Sequence, residues 1–237
     1  MLRLATKFLP ERSAFQQAHD AGFRHAEFFL NRDLLERVDD ILALARQFDM
    51  RYALHFPNKA DLQEVHLQEC VRLFHEVNAS AIVIHPPLLK KYADQLRAID
   101  SGVVLAIETM RVPADELLAW VEQHQAVTLD MEHIWMFTLP EASLDEFLKL
   151  VRSVFQHHAH CVKHVHMPGQ LPGHGEHRPM YTSREFCLGV FDILADFSFD
   201  GLVVSEVDMP YQNPFDLRMD ALLYEGWLHK RTAEQQA

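Results

Sequence analysis

One pattern dominates the sequence: a short apolar run is followed by an amphipathic stretch, and this unit recurs along the whole chain. The apolar runs stand near residues 2–8, 24–29, 51–56, 81–85, 103–108, 126–130, 161–166 and 202–207. Runs this short, bounded by polar or turn residues, are typical of buried parallel strands. Their alternation with helices predicts parallel βαβ units closed into a single (βα)8 TIM barrel of the α/β class. An open doubly wound sheet is the alternative, but no Gly-x-Gly-x-x-Gly sequence follows the first run.

Local signals predict where several of the helices lie. Apolar residues recur with the helical period in 33–48 and 61–78. Capping boxes and prolines mark four further helix starts: the boxes are Ser143 with Glu146 and Thr182 with Glu185, and the prolines are Pro113 and Pro214, the second preceded by Asn213 as the cap.

The chain shows no internal boundary. Its 237 residues, without a linker or low-complexity tract, fit one barrel domain over residues 1–233 and a frayed C-terminal tail over 234–237. One connection is unusual, the 16-residue loop 167–182, which holds three of the eight glycines and three of the eleven prolines. Loops this long are usually functional or disordered, and the ionisable residues in this one favour an active-site loop.

The net charge limits the kinds of binding partner that we expect, and the cysteine content indicates the cellular compartment. The formal net charge is −12 and no Lys/Arg run exceeds Lys90-Lys91, so we expect no binding to nucleic acid or to anionic membranes. Three cysteines without a Cys-x-x-Cys pair do not indicate a disulfide framework and point to a reducing compartment. No signal-peptide pattern and no apolar run of the ~20 residues that span a bilayer are present, which predicts a cytoplasmic protein.

Potential metal ligands stand at the ends of the apolar runs. In a (βα)8 barrel these ends meet at one mouth, where active sites lie. The endings are Ala26-Glu27-Phe28, Leu54-His55-Phe56, Ile84-His85-Pro86, Ile107-Glu108-Thr109, Asp130-Met131-Glu132-His133, His164-Val165-His166 and Ser205-Glu206-Val207. One such residue alone is more often a structural hydrogen-bonding group, but their coincidence predicts a shared site. Because buried carboxylates are costly without compensation, this site is expected to hold a divalent cation.

The order of these ligands carries a family resemblance. Glu108 follows the fifth strand, Asp130 and His133 form an Asp-x-x-His pair after the sixth, His166 follows the seventh and Glu206 the eighth. This set resembles the xylose-isomerase-like superfamily of barrels, which includes ketose 3-epimerases, hydroxypyruvate isomerases, inosose dehydratases and endonuclease-IV-type DNA repair enzymes. The segment Ala18-His19-Asp20-Ala21-Gly22-Phe23 is also similar to the Ala-x-x-Ala-Gly-Phe start of this group, and the resemblance covers essentially the whole chain.

The resemblance implies a metal site and a reaction. In epimerase-like members the positions of Glu108, Asp130, His166 and Glu206 bind one divalent ion, for which Mn²⁺ or Mg²⁺ is favoured here and Zn²⁺ or Co²⁺ is an alternative. The two glutamates exchange protons with a substrate carbon, and the position of His133 contacts a substrate oxygen. We therefore expect a metal-dependent isomerase or epimerase that acts on a sugar, a sugar phosphate or another hydroxy-carbonyl compound through a metal-stabilised enediolate. Relatives often pair, so a homodimer is a further expectation.

A phosphodiester hydrolase of the endonuclease-IV type is the alternative function. Those relatives carry a three-zinc cluster with additional histidines after the third and fourth strands, where this chain has His55 and His85, and His133 would then be a ligand too. A barrel that only binds or scaffolds would leave so many mouth ligands unexplained. Other candidate contacts to metal or substrate are Lys7, Arg111, His164, His174, Glu176 and His177. The aspartate that the hydrolase resemblance places two residues before His177 is Gly175 in this chain.

Overall fold

The computed structural model describes residues 2–59, 61–171, 175 and 177–236, leaving out the side chains of residues 235 and 236. Its strands are β1 (Arg3–Phe8), β2 (His25–Phe29), β3 (Arg51–His55), β4 (Ile82–Ile84), β5 (Leu105–Glu108), β6 (Val127–Asp130), β7 (Val162–His166) and β8 (Leu202–Ser205). Each strand pairs in parallel with the next one, and β8 pairs with β1, which closes the sheet. The predicted (βα)8 barrel is therefore confirmed.

Helices connect the strands and cover the outside of the barrel. They are α1 (Arg12–Ala21), α2 (Arg32–Leu35), α3 (Val38–Ala45), α4 (Glu64–Glu76), α5 (Pro86–Ile99), α6 (Leu117–His124), α7 (Met131–His133), α8 (Leu144–His158), α9 (Arg184–Asp196) and α10 (Pro214–Gln236). A π-helical turn, Ile134–Thr138, extends α7. Among the described residues, none of these helices is long and apolar enough to cross a bilayer.

Of the four predicted helix starts, two are confirmed and two are wrong. Asn213 caps α10 by accepting the backbone N–H of Asp216, and Ser143 and Glu146 form the expected capping box of α8. The box at Thr182 is wrong, because its hydroxyl donates to the carbonyl of Pro179 inside a 3₁₀ turn (Met180–Ser183) that precedes α9. The Pro113 start is also wrong, since α6 begins four residues later at Leu117.

The principal core lies between the sheet and the helices. Phe15 of α1, for example, is fully buried against Phe8 of β1 and Phe28 of β2, with ring centroids 5.2 and 5.3 Å away. The following turn depends on Gly22, whose φ of 108° is the left-handed conformation that glycine adopts without strain. This packing fixes the strand ends relative to one another, which the site requires.

A smaller apolar cluster lies apart from this core and is formed by Ala5, Ala53, Leu202 and Val204. Side chains alternate along a strand, so the next residues on the same faces of β1, β3 and β8 are Lys7, His55 and Glu206. All three are buried polar or charged groups. These three polar groups therefore lie above the small apolar cluster, toward the mouth of the barrel.

Candidate metal centre

Four buried side chains converge at the mouth. Glu108, Asp130, His166 and Glu206 each offer one ligand atom, and these four atoms all lie within 4.8 Å of one another. We call these residues the central group. Strand register brings them together, since Asp130 of β6 pairs with His166 of β7, and Glu206 directly follows β8. The structure thus unites the four residues that the sequence predicts as metal ligands.

His166 is oriented by a carboxylate on the far side of its ring. Its Nε2 lies 3.0 and 3.1 Å from the two oxygens of Glu27, a fully buried residue of β2. Its Nδ1 lies 2.5 Å from Oε2 of Glu206, but the two atoms are not in hydrogen-bond geometry. A carboxylate that accepts one N–H of a histidine orients the ring, and a cation bound on the other side would displace the proton of the second nitrogen.

Asp130 combines a structural role with a position in the central group. Its Oδ1 accepts the backbone N–H of His133, 2.7 Å away, and so caps α7. Its Oδ2 is buried and has no hydrogen-bond partner among the described residues. The Asp-x-x-His spacing therefore places one carboxylate oxygen in the helix cap and leaves the other for the site.

Two histidines form a second set of ligands around Glu108. Nε2 of His55 and Nε2 of His85 each lie 3.1 Å from Oε2 of Glu108, and the three residues form what we call the first flanking group. His55 is held by its other nitrogen, because Nδ1 bonds to the carbonyl of Phe56 at 3.0 Å. Glu108 therefore belongs to two overlapping ligand sets.

Asp130, like Glu108, belongs to two ligand groups. With His133 and His177 it forms the second flanking group, whose ligand atoms also lie within 4.8 Å of one another. Nδ1 of His133 is 3.0 Å from the carbonyl of Thr109, which leaves Nε2 available. Nε2 of His177 is 3.0 Å from Oε2 of Glu132. The centre is thus a row of three groups joined by two carboxylates.

Lys7 brings a permanent positive charge to this row. Its Nζ donates to Oε1 of Glu206 at 2.6 Å and lies 3.8 Å from Oε1 of Glu27. Burial would lower the pKa of Lys7, but the negative charges of Glu206 and Glu27 outweigh burial and raise it. Lys7 is therefore a charged member of the site rather than a rim residue.

Mutual interactions set the protonation of the cluster. Burial would raise the pKa of Glu108 and that of Glu206, but the charge of His166 holds both well below their usual range. Burial would lower the pKa of His177, but the charge of Glu206 and the hydrogen bond to Glu132 raise it to about 11. In Asp130 burial is the stronger effect and raises the pKa of the carboxyl.

Two cavities open beside the centre. One, of about 420 Å³, is lined by Lys7, Phe29, His177 and Glu206, and the other, of about 480 Å³, by His85, Arg111 and Trp120. Asn58 lines both cavities, and its buried Oδ1 has no hydrogen-bond partner among the described residues. The mouth therefore has room for a small substrate on either side of Asn58.

The remaining predicted contacts are distributed differently. His164 lies deeper than the central group, where its Nε2 is 2.9 Å from Ser80 Oγ and its Nδ1 is 3.5 Å from Glu27. Arg111 is exposed, and its guanidinium lies 4.7 Å from the ring centre of Phe137. His174 and Glu176 lie outside the described residues.

The structure places at the centre three residues that were not predicted as ligands or contacts: Glu27, Glu132 and Asn58. Glu27 and Glu132 stand in strand endings that the sequence does single out, so their position was the available signal. Their role depends on long-range contacts with His166 and His177, which no local pattern records. Asn58 carried no signal beyond its position three residues after His55.

Comparison with solved structures finds the same architecture in proteins of low sequence identity. A D-tagatose 3-epimerase-like protein aligns with a TM-score of 0.69 and 16% identity, covering 100% of both chains. Endonuclease IV from Thermus thermophilus aligns with a TM-score of 0.68 and 15% identity, covering 96% of this chain and 99% of its own. An L-ribulose 3-epimerase aligns with a TM-score of 0.60 and 17% identity, covering 100% and 98%. No family model matches the sequence, and no curated protein is significantly similar to it.

Proposed function

Starting from the xylose-isomerase-like barrel fold that the chain shares with these structures, we propose that it is a divalent-metal-dependent enzyme whose centre binds more than one ion. Hydrolysis of a small phosphate ester is the reaction that this centre supports best. The observation that carries the proposal is the overlap of three ligand groups through Glu108 and Asp130. A cation in each of two adjacent groups would share a carboxylate, as in two-metal hydrolytic sites.

The chemistry of the residues fits divalent cations. Oδ2 of Asp130, Nδ1 of His166 and Oε2 of Glu206 are buried without a hydrogen-bond partner among the described residues. An unsatisfied buried polar atom costs roughly 1–3 kcal/mol, and more when it is charged. A cation bound in the central group would satisfy all three atoms. Mixed carboxylate and imidazole ligands suit Zn²⁺, Mn²⁺ or Co²⁺.

Different residues of the chain would have different roles in phosphate-ester cleavage. Adjacent divalent ions, when bound, neutralise phosphoryl charge and hold the attacking and leaving oxygens in line. Glu108 and Asp130 would fix the spacing of these ions, since each belongs to two groups. Lys7 adds positive charge to the wall of one mouth cavity, and Asn58 offers an amide between the two cavities. Such fixed charges favour an anionic transition state.

Two observations favour hydrolysis over the proton transfer that the sequence analysis ranked first. A site for one ion does not need the first flanking group, yet His55 and His85 both lie 3.1 Å from Glu108. In addition, Nζ of Lys7 donates to Oε1 of Glu206 at 2.6 Å, and the charges of His166 and then of Lys7 hold the pKa of that carboxyl well below its usual range. A carboxylate stabilised in this way is a weak base for the removal of a proton from carbon.

The proposed substrate is a small molecule rather than duplex DNA. The chain has a net charge of −12, whereas DNA-binding surfaces neutralise phosphates with lysine and arginine. Cavities of about 420 and 480 Å³ are within the usual range for small ligands. We therefore place the substrate among phosphorylated metabolites of low molecular weight.

The second candidate function is the isomerase or epimerase reaction, with one bound Mn²⁺ or Mg²⁺. A specific observation favours it: Glu108 and Glu206 come from β5 and the end of β8 and both contribute an atom to the central group. Two glutamates placed around one substrate carbon could remove a proton from one face and return it on the other. Two of the similar structures are also described as an epimerase or an epimerase-like protein.

Metal content together with activity decides between these candidates. The full chain is purified without chelator, its Zn, Mn, Co and Mg are counted by mass spectrometry, and it is assayed with p-nitrophenyl phosphate esters and with ketoses in deuterated water. The proposal expects two or three ions per chain and phosphate-ester cleavage that is lost in His55→Gln and His85→Gln. His160→Gln, which changes an exposed surface histidine, is the control. One ion per chain, with deuterium entering a ketose and no ester cleavage, would overturn the hydrolase and establish the second candidate.

A further inference from the structure

Glu132 is a buried acid that the proposed reaction has not used. It stands between Asp130 and His133, two members of the second flanking group, and only 1% of its surface is exposed. Its Oε2 lies 3.0 Å from Nε2 of His177, and its Oε1 is buried without a hydrogen-bond partner among the described residues. Burial of a carboxylate is unfavourable unless a partner compensates its charge, and His177 is that partner.

The contact determines which nitrogen of His177 faces the centre. A carboxylate oxygen offers only acceptor sites, so Nε2 of His177, 3.0 Å from Oε2 of Glu132, is the nitrogen that keeps its proton. Nδ1 is then the atom on the side of the ligand cluster, where it lies 3.4 Å from Oε1 of Glu206. His166 is held in the same manner by Glu27, with its Nδ1 toward the central group.

The backbone of His177 is held separately from its ring. Its N–H donates to Oδ2 of Asp208 at 3.2 Å, and its carbonyl accepts the N–H of Asp208 at 2.8 Å. These bonds tie the loop that follows β7 to the segment that follows β8. They do not set the rotation of the imidazole about its side-chain bonds; the ring is held by its side-chain contacts, of which that with Glu132 at 3.0 Å is shorter than that with Glu206 at 3.4 Å.

Gly175 makes this contact more important. The hydrolase resemblance places an aspartate at this position, two residues before the loop histidine, and glycine has no side chain to offer. The second flanking group consequently has Asp130 as its one carboxylate among the described residues. Glu132 approaches the same histidine from α7 instead of from the loop.

We infer that Glu132 is the positioning residue of the second flanking group: it holds the ring of His177 so that Nδ1 binds a cation together with Asp130 and His133. The inference rests on the proposed multi-ion centre and adds to it the residue that compensates for Gly175. Orienting partners of this kind typically change metal affinity by about 10- to 100-fold when they are replaced.

The test is a Zn²⁺ titration of the chelator-treated full chain in competition with a chromogenic chelator. In the wild type we expect two or three binding steps. Glu132→Gln should weaken one step by about 10- to 100-fold and leave the others unchanged, because the amide can still accept the N–H but lacks the charge. Glu132→Leu should remove that step, and His177→Gln should remove the same one. The double variant Glu132→Gln/His177→Gln should bind no more weakly than His177→Gln alone.

A purely structural Glu132 gives a different result. Replacement would then lower thermal stability or weaken every step alike, and melting curves of the metal-free variants separate these effects. If Glu132→Leu does not fold, Glu132→Gln carries the decision. Unchanged steps in Glu132→Gln, with several ions in the wild type, would overturn the inference and leave the proposed function intact. A wild type that binds a single ion would overturn both.

Discussion

Asp220 provides a quantitative test of the packing behind the centre. It lies on α10 without solvent exposure, and its carboxylate accepts hydrogen bonds from the Ser205 hydroxyl at 2.7 Å and from the N–H of Tyr181 at 3.1 Å. Ser205 directly precedes Glu206, and Tyr181 follows His177 by four residues. Burial raises the pKa of Asp220 from 3.8 to about 6, although these hydrogen bonds oppose the shift. The substitution Asp220→Asn removes this titratable group.

The direction in which stability changes with pH follows from the number of protons bound to the native and unfolded states. Between about pH 4 and pH 6 the native protein keeps a proton on Asp220 that the unfolded chain has released, so stability falls as pH rises. The difference of roughly two pKa units corresponds to about 3 kcal/mol. Asparagine does not titrate and resembles the protonated carboxyl in shape. The free energy of unfolding of Asp220→Asn should therefore rise relative to wild type by roughly 2–3 kcal/mol between pH 4 and pH 7.

Urea unfolding of the chelator-treated proteins at a series of pH values measures this difference. Asp94→Asn, which changes an exposed aspartate of α5, is the matched control and should give a difference from wild type that does not vary with pH. The constant effect of a changed hydrogen bond cancels, because only the pH dependence is compared. A difference between Asp220→Asn and wild type that is flat from pH 4 to pH 7 would refute the reasoning.

Three further predictions concern the centre itself. Glu108→Gln should weaken binding in two of the three groups at once, since Glu108 belongs to both; a Zn²⁺ titration indistinguishable from wild type would contradict the shared role. Lys7→Met should lower the free energy of unfolding of the chelator-treated protein by roughly 3–5 kcal/mol, because it removes a buried cation that compensates both Glu206 and Glu27; urea unfolding that shows less than about 1 kcal/mol would contradict this. An abasic DNA duplex should be neither bound nor cut at physiological salt, in zinc or in manganese, because the chain is acidic. Metal-dependent incision that disappears in His55→Ala and His85→Ala would establish a nuclease instead.

The fold was predictable because its signal is repeated. Eight apolar runs and the stretches between them define the barrel even where a local detail fails. The predicted helix 33–48, for instance, is interrupted after Leu35 and restarts at Val38, since Arg37 leaves the helical conformation. This interruption alters the path of the chain between β2 and β3 but leaves the barrel strands in place. The start of a single helix is harder to predict than the fold, because one competing hydrogen bond, such as that from Thr182 to the carbonyl of Pro179, can move it.

The convergence of the candidate ligands at the mouth was predictable, but the partners of each side chain were not. Strand ends converge in any closed parallel barrel, so the residues of the central group follow from their place in the sequence. His164 and His166 lie on the same face of β7, and the sequence cannot tell which of them is level with Asp130. Register decides in favour of His166, which pairs with Asp130, whereas His164 pairs with Thr128 two residues lower. The partners of each ring, Glu27 and Glu132 among them, depend on side-chain rotation and distant contacts.

The pairing of β8 with β1 has a consequence for how the protein is made. Glu206 and the helix that carries Asp220 leave the ribosome long after Lys7, which stands on the first strand of the barrel. The strands that emerge early have an open edge until β8 arrives, and the charges of Glu27 and Lys7 are exposed to water until then. We therefore expect the cation site to form only after β8 has been synthesised. Nascent chains that end before residue 202 lack Glu206, so they should not form the central group.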